Sequence, residues 1–275
     1  MIKIGTTNDP KGQWQARFTA SELARIGVES TIISVEHQGE SPLPAALLRG
    51  DIDVAVSALN ALPVEQPEEL VITALSQRDN PADSLLIHPS AVDTQHIFRL
   101  KQGAVVGTFA GHRKVQLQDF RPDIVLKAPW DTVFSPFEQL RQGYWEAIFL
   151  EAAAMQRLDM DVDGLEVIEL YPGEWIPAPG QGVLAWQTHR DDLATRRIFR
   201  QLHHPEVAAC TNVERRILQV LSADERPTLG AYCHRDAGGN YHVVASCLRA
   251  GALHRARLSS STNSGLGDRV AGMLR

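Results

Sequence analysis

The hydrophobic pattern of the chain alternates short apolar runs with stretches of helical periodicity. The first elements that this pattern predicts are a strand at residues 2–6, a helix with apolar positions at Ala16, Ala20, Leu23 and Ala24 that ends near Gly27, a strand at 31–35, a short helix at 44–49 and a strand at 52–56. Alternation of strands and helices is typical of a parallel, doubly wound α/β sheet.

The alternation of predicted strands and helices is interrupted at Arg78-Asp79-Asn80-Pro81 and then resumes. The second set of predicted elements is a strand at 103–107, a helix at 112–119, a strand at 123–126, a helix at 137–142 and a strand at 146–150. Two similar α/β units in one chain resemble the lobes of a periplasmic-binding-protein type II fold. That resemblance implies a ligand cleft between the lobes.

A third segment follows a rigid turn at residues 176–182, whose prolines and glycines suit a hinge. After His203-His204-Pro205 the pattern predicts a helix at 207–221 and a strand at 241–245. We therefore expect three domains. They are a first α/β lobe of residues 1–78 with 182–200, a second α/β lobe of residues 82–178, and a C-terminal α+β domain of residues 204–275.

The amino-acid composition and net charge limit the classes of protein to which the chain can belong. The 275 residues are 44% hydrophobic and 22% charged, as in ordinary globular proteins, and the net charge of −6 argues against a nucleic-acid partner. Apolar runs stay well short of the roughly 20 residues that cross a bilayer, and the N-terminus enters a strand directly, so we expect a cytoplasmic monomer without membrane contact. Three widely spaced cysteines predict neither disulfides nor a metal site.

The loop after the strand at 52–56 raises the question of chemistry. Ligands of open α/β sheets lie at the carboxyl ends of strands, so this loop is a natural place for a site. Before Pro63 it offers only Ser57 and Asn60 as polar side chains, and the next ionisable group is Glu65. The loop thus contains no acid, base or strong nucleophile.

Six blocks of sequence carry a resemblance. They are IGTTNDPKGQWQA (4–16), DIDVAVSALNALP (51–63), AVVGTFAGHRKVQL (104–117), GYWEAIFLEAAAMQRL (143–158), PAPGQGVLA (177–185) and HPEVAACTNVERRILQVLSADERPTLGAY (204–232). In order and spacing these blocks resemble the porphobilinogen deaminase (hydroxymethylbilane synthase) family. The resemblance covers most of the chain.

The resemblance implies a three-domain protein and a particular chemistry. Members of the family condense four porphobilinogen units into a linear tetrapyrrole, which grows on a dipyrromethane attached to a cysteine. An aspartate at a strand end steers protonation, and arginines and lysines bind the acetate and propionate groups of the pyrroles.

The chain departs from the family at the residues that perform this chemistry. By the match of blocks, Ala61 stands where the family has the catalytic aspartate, and Asn60 where it has a lysine. Glu225 stands where the family has the cofactor cysteine, after Ala223 and Asp224 in place of two glycines. The resemblance would thus bring a dipyrromethane cofactor, but we expect none here. We favour a core role for Cys233, the nearest alternative thiol.

Most anion-binding positions of the family also differ. Thr7 and Asp9 replace an arginine and a serine, the basic segment around residues 41–44 is shortened, and residues 130–136 lack both arginines of the matching stretch. Backbone amides at a helix start, together with cationic side chains, can still bind one carboxylate or phosphate. The predicted ligand-binding residues are Thr108, His112, Arg113, Lys114, Gln181 and Gln15, and no catalytic residue is predicted.

Three functions remain open from the sequence. The first is a family member that has lost its chemistry and serves as a binding or regulatory module for a small anionic or pyrrole-type ligand or for an unidentified protein. The second is an active hydroxymethylbilane synthase with a rearranged site. The third is a periplasmic-type receptor for small anions, against which the third segment and the N-terminal strand both argue.

Overall fold

The structure is a computed structural model of the chain and describes residues 1–35, 42–127 and 135–275. Its strands, in chain order, are β1 (Ile2–Thr6), β2 (Ser30–Ser34), β3 (Val54–Ala58), β4 (Leu70–Leu75), β5 (Asp83–Ile87), β6 (Val105–Gly107), β7 (Val125–Lys127), β8 (Ala147–Glu151), β9 (Glu166–Leu170), β10 (Leu184–His189), β11 (Gly230–Arg235), β12 (Tyr241–Arg249) and β13 (Ala252–Ser260). Its helices are α1 (Pro10–Arg25), α2 (Pro42–Arg49), α3 (Gly111–Phe120), α4 (Pro136–Arg141), α5 (Ala152–Arg157), α6 (Leu193–Arg200), α7 (Pro205–Val220) and α8 (Leu266–Met273). The predicted α/β class is confirmed.

The chain divides into two compact units. Unit 1 comprises Met1–Asp79 and Gly182–Ala209, and unit 2 comprises Asn80–Gln181 and Cys210–Arg275. Unit 1 contains one five-stranded sheet, whereas unit 2 contains a second five-stranded sheet and a three-stranded sheet. The division of the chain into three domains, and a cleft between two of them, stay predictions.

The sheet of unit 1 has the strand order β2-β1-β3-β10-β4. Strand β3 is almost wholly buried, as expected of a central strand covered on both faces. Ile4, Val54 and Val56 pack with Trp186 and Phe199 in one core cluster. This packing fixes the end of β3, where the loop of interest begins.

The five-stranded sheet of unit 2 repeats this arrangement, in the order β7-β6-β8-β5-β9. All five residues of β5 are buried, including Asp83 at its start. Leu85 and Val106 form a core with Leu117 of α3 and with Trp175. The sheet therefore places a carboxylate inside an apolar layer, and the side chains around it are described below.

One strand of each five-stranded sheet is antiparallel to its neighbours, a feature that the alternation of predicted strands and helices did not indicate. In unit 1, β10 is antiparallel to both β3 and β4. In unit 2, β5 is antiparallel to both β8 and β9. Strand direction depends on pairing partners that are distant in sequence, as in the register of Leu184 with Ala58, and local periodicity carries no signal for it.

The third sheet is an antiparallel meander in the order β11-β12-β13. One face packs Cys233, Val243 and Ala256 against Ile217 of α7 and Val270 of α8. Side chains alternate between the two faces of a strand, so the intervening residues lie on the opposite face.

Some sequence-based expectations fall on residues outside the described part. The segment 130–136, where the family has two arginines, is described only at Ser135 and Pro136. Of the segment 41–44, residues 42–44 are described. Across the described ranges, no helix combines the length and the apolar character that a membrane span requires.

Candidate functional site

The loop after β3 is firmly held. Leu59 is almost fully buried, and its amide N–H donates to the carbonyl of Val183 at 2.8 Å. A single 3₁₀ turn covers Leu59–Ala61, and Leu62 donates back to the carbonyl of Leu59 at 3.2 Å. Ala61 follows on the exposed side of this turn. Ala61, which the block match predicts to stand in place of the family's carboxylate, therefore carries a methyl group on a fixed backbone.

A pocket of about 240 Å³ opens beside this loop in unit 1. Its lining residues are Thr7, Pro42, Leu43, Pro44, Ser57, Ala61, Leu62, Pro63, Gln66 and Pro67. None of these lining residues is ionisable, so the pocket wall formed by the described residues is neutral. Hydroxyls and one amide are its polar groups, and they suit the binding of a neutral or weakly polar ligand better than that of a polycarboxylate.

Asp9, which replaces a serine of the family, has a structural role. Its Oδ1 accepts from the amide N–H of Gly12 at 2.9 Å, which makes Asp9 the N-cap of α1. The Thr7 hydroxyl donates to the other carboxylate oxygen. Partial burial opposes ionisation of Asp9, but these hydrogen bonds outweigh it and lower its pKa. The carboxylate of Asp9 thus stabilises the N-terminus of α1.

A buried ionic cluster surrounds Asp83 in unit 2. Arg113 donates to it from Nη2 at 2.7 Å and from Nε at 3.1 Å. Trp175 Nε1 at 3.0 Å and Gln181 Nε2 at 2.8 Å donate to the same carboxylate, and His112 Nε2 lies 3.6 Å from it. Three of the six predicted ligand-binding residues are thereby brought together, with their polar atoms directed at one internal anion.

Charge pairing sets the protonation of this cluster. Burial disfavours the ionised form of Asp83, yet the charge of Arg113 and the neighbouring His112 outweigh that effect and hold the pKa of Asp83 well below its ordinary value. Burial would lower the pKa of Arg113, but the charge of Asp83 raises it. Both groups are ionised across the physiological range.

Sequence reasoning missed Asp83. The available signal was an acidic residue one position before the start of the buried stretch Ser84-Leu85-Leu86-Ile87, because a buried carboxylate requires a cationic partner. The sequence pattern does not identify Arg113 as that partner, because Asp83 lies in β5 and Arg113 lies in α3.

The other three predicted ligand-binding residues lie apart from this carboxylate. Thr108 is 4% exposed, and its hydroxyl has no hydrogen-bond partner among the described residues. Lys114 is partly exposed on the first turn of α3. Gln15 lies buried in α1 of unit 1, where its carbonyl accepts from Thr19 Oγ1 at 2.8 Å. The ligand-binding roles of all six residues stay predictions.

The loop that carries Glu225 is closed by its own side chain. Glu225 Oε2 accepts from the amide N–H of Ser222 at 3.0 Å, and Arg249 Nε lies 3.5 Å from Oε1. These bonds to Ser222, and more weakly the charge of Arg249, lower the pKa of Glu225. The carboxylate of Glu225, which the block match predicts to stand in place of the family's thiol, is therefore engaged by a backbone amide and an arginine.

The cysteines of the chain lie in the core of the third sheet. Cys210, Cys233 and Cys247 are thiols with exposures of 7%, 1% and 0%. The backbone of Cys233 is fixed by Glu214, whose buried carboxylate accepts from the amides of Cys233 at 2.8 Å and Gly180 at 2.6 Å. Attachment of a pyrrole to Cys233 would require this part of the core to open.

Comparisons with known proteins place the chain in a family. The family profile described as "Porphobilinogen deaminase, dipyromethane cofactor binding domain" matches residues 40–197. The chain is similar to the porphobilinogen deaminase of Chloroherpeton thalassium, with 33% identity over 88% of this chain and 81% of that protein. It is also similar to the porphobilinogen deaminase of Thermus thermophilus, with 32% identity over 90% of this chain and 85% of that protein.

Among solved structures, the chain resembles a periplasmic substrate-binding protein of an ABC transporter from Coxiella burnetii. The TM-score is 0.48 at 14% identity, over 76% of this chain and 94% of that chain. The sequence matches extend over nearly the whole chain and include the loop at Ala61. On the strength of these matches, the chain belongs to the porphobilinogen deaminase family.

Proposed function

We propose that this chain is a non-catalytic member of the porphobilinogen deaminase family, retained as a binding or regulatory module. The observation that carries the proposal is Glu225, which stands where the family attaches its dipyrromethane. A carboxylate cannot form the thioether that holds this group, and here its two oxygens bind Ser222 and face Arg249. The residues at this position do not fit the cofactor.

The loop after β3 supports the same proposal. A fixed carboxylate stabilises positive charge that develops on a pyrrole during condensation, and removal of one such electrostatic group typically lowers a rate by about 10²–10³-fold. Ala61 supplies only a methyl group, and the neighbouring pocket is neutral. Loss of the carboxylate and of the thiol together removes both the charge stabilisation and the covalent primer.

The competing proposal of an active, rearranged synthase needs another nucleophile. Cys233 is the thiol nearest to Glu225 in sequence, but it is 1% exposed and, like Cys247, belongs to the core of the third sheet. A periplasmic-type anion receptor is the remaining alternative, and the family membership of the chain argues against it. We expect a monomer in the cytoplasm whose ligand, if pyrrole-like, is smaller than a bilane.

Porphobilinogen turnover tests the proposal. We expect the purified protein to consume porphobilinogen no faster than buffer and to form no bilane, whereas a family member that has the cysteine and the aspartate does both in parallel. Turnover well above the buffer rate that is lost in Cys233→Ser, with the fold retained, would establish the rearranged synthase instead. Unchanged folding of Cys233→Ser is checked by circular dichroism.

A further inference from the structure

The face of the third sheet opposite its core is partly covered by other elements of unit 2, since Arg255 pairs with Asp119 and Arg257 donates to the carbonyl of Gly173. Two cavities of about 430 Å³ and 200 Å³ lie on this face. Most of their lining from β11 to β13 consists of residues that alternate with Cys233, Val243 and Ala256, although Val243 and Ala256 also border them. The two cavities share Gly173, Val244 and Arg257, so they adjoin. Their combined size lies within the range of small-molecule pockets, which is about 300–1,000 Å³.

A row of aromatic rings stands on this face. Tyr232 and His234 stack with ring centroids 5.6 Å apart, and His234 stacks on its cross-strand partner His242 at 5.1 Å. The rings of the two pairs are within 22° and 24° of parallel. All three rings line the smaller cavity, together with Tyr171, which is 70% exposed.

The row is held in place by hydrogen bonds. His242 Nδ1 lies 2.7 Å from Ser259 Oγ, and His242 Nε2 lies 2.9 Å from Asp236 Oδ2. Both ring nitrogens are therefore engaged, which fixes the orientation of the imidazole. A surface that is ordered before binding loses less conformational entropy when a ligand arrives.

Of the charged residues that line the groove, Arg257 is the one shared by both cavities. Its Nη2 donates to the carbonyl of Gly173 at 2.8 Å, and no carboxylate of the described residues lies within ion-pair distance of it. Arg255, in the larger cavity, is instead paired with Asp119 at 2.8 Å. Glu174 also lines the larger cavity. The unneutralised cation thus lies where the two cavities meet, beside the aromatic row.

We propose that this groove binds a flat aromatic ring that carries a carboxylate or a phosphate. The ring packs against Tyr171 and the Tyr232–His234–His242 row, and the anionic group accepts from Arg257. The groove shares no lining residue with the pocket at Ala61 or with the Glu225 loop. The proposal therefore stands or falls independently of the proposed loss of catalysis.

Calorimetry with matched small molecules tests the requirement for a planar anion. 2-Naphthoate should bind at least about fivefold more tightly than decahydro-2-naphthoate, which has the same charge and carbon skeleton without the planar rings. AMP and ribose 5-phosphate form the corresponding pair of phosphates with and without an aromatic ring. Whether 2-naphthoate or AMP binds more tightly indicates whether the site prefers a carboxylate or a phosphate. Equal binding within both pairs, or no binding of either aromatic compound, would overturn the proposal.

Variants locate the site. Arg257→Ala should weaken binding of the preferred aromatic anion by about tenfold or more, because a charge-assisted hydrogen bond is lost. Arg269→Ala is an equal change of charge at an exposed residue of α8, and it should leave the affinity for the same compound unchanged. Arg257→Lys keeps the cation and should retain most of the affinity. Equal losses in Arg257→Ala and Arg269→Ala, or ligand-induced amide shifts that spare Tyr232 and His234, would contradict the assignment.

Discussion

Arg113 and Asp83 form a buried, two-point ion pair in unit 2, with nitrogen–oxygen distances of 2.7 Å and 3.1 Å. Asp83 is completely buried, and the Arg113 side chain is 12% exposed. From the sequence, Arg113 is one of six residues predicted to bind an external ligand. In the structure its Nη2 and Nε donate to an internal carboxylate. This relationship changes what removal of either residue should do.

Replacement of Asp83 should be strongly destabilising. Asp83→Asn leaves the Arg113 charge buried without its partner, and the loss of one partner from a buried pair costs about 3–5 kcal/mol in the free energy of unfolding. Urea unfolding followed by tryptophan fluorescence measures the change. Asp268→Asn, which removes the carboxylate of the exposed pair with Arg216, is the matched control and should shift the midpoint far less. Equal shifts of the unfolding midpoint in the two variants would mean that the buried ion pair contributes no more to stability than the exposed pair.

Acid should weaken the fold through the same pair. The pKa of Asp83 is lower in the folded protein than its ordinary value of 3.8 in the unfolded chain. Its contribution is therefore complete above about pH 5 and declines as the pH falls through and below 3.8, because the unfolded state takes up a proton that the folded state does not. Near pH 3 and below, this group should contribute a slope approaching about 1.4 kcal/mol per pH unit.

Unfolding free energies at pH 6, 4 and 3 measure this slope, with Asp83→Asn for comparison. The variant should lose stability less steeply than the parent between pH 4 and pH 3. Parallel pH profiles would show that Asp83 does not retain its low pKa in solution.

Anion binding at the start of α3 should be weak. Thr108, Lys114 and the first backbone amides of the helix can hold one carboxylate or phosphate, while the Arg113 charge is balanced by Asp83. At this site we expect millimolar affinity at best for porphobilinogen and for sulfate, and weaker binding at higher salt. Lys114→Ala should reduce it without disturbing the ion pair. Micromolar affinity for porphobilinogen that survives Lys114→Ala would show that the ligand binds elsewhere.

The Glu225 side chain should stabilise its own loop. Glu225→Ala removes the acceptor for the Ser222 amide and the partner of Arg249, so hydrogen exchange at Ser222 should become faster while the core of the third sheet stays protected. Asp224→Ala removes the same charge from the neighbouring residue and should change exchange little. If both variants exchange like the parent, the side chain is not what closes the loop.

The sequence was sufficient for elements whose pattern is local. The apolar run that became β3 and the helical repeat of α1 were both predictable, because burial imposes their periods of two and 3.6 residues. Strands β5 and β10 were missed. Their apolar runs carry no direction, and each is antiparallel to partners supplied by distant parts of the chain.

The candidate site likewise has features that are local in the sequence and features that depend on the fold. The assignment of Ala61 and Glu225 to the family's aspartate and cysteine positions rests on the sequence alone, because both lie within blocks that match the family without gaps, and it stays a prediction. The use of Glu225 as a loop cap could not be predicted, because its partner Arg249 lies on another element. The same holds for Arg113, whose partner Asp83 is brought to it only by the fold.

The intact mass of the purified protein shows whether the chain carries a covalent dipyrromethane. A dipyrromethane joined to a cysteine adds a discrete increment to the 275-residue polypeptide, and it turns red with Ehrlich's reagent. A family member that has the cofactor cysteine, purified from the same host, is the positive control. We predict that this protein has the mass of the unmodified polypeptide and gives no colour, because Glu225 replaces the thiol and Cys233 is buried. An adduct of dipyrromethane mass that maps to Cys233 would contradict the account and identify the chain as an active synthase.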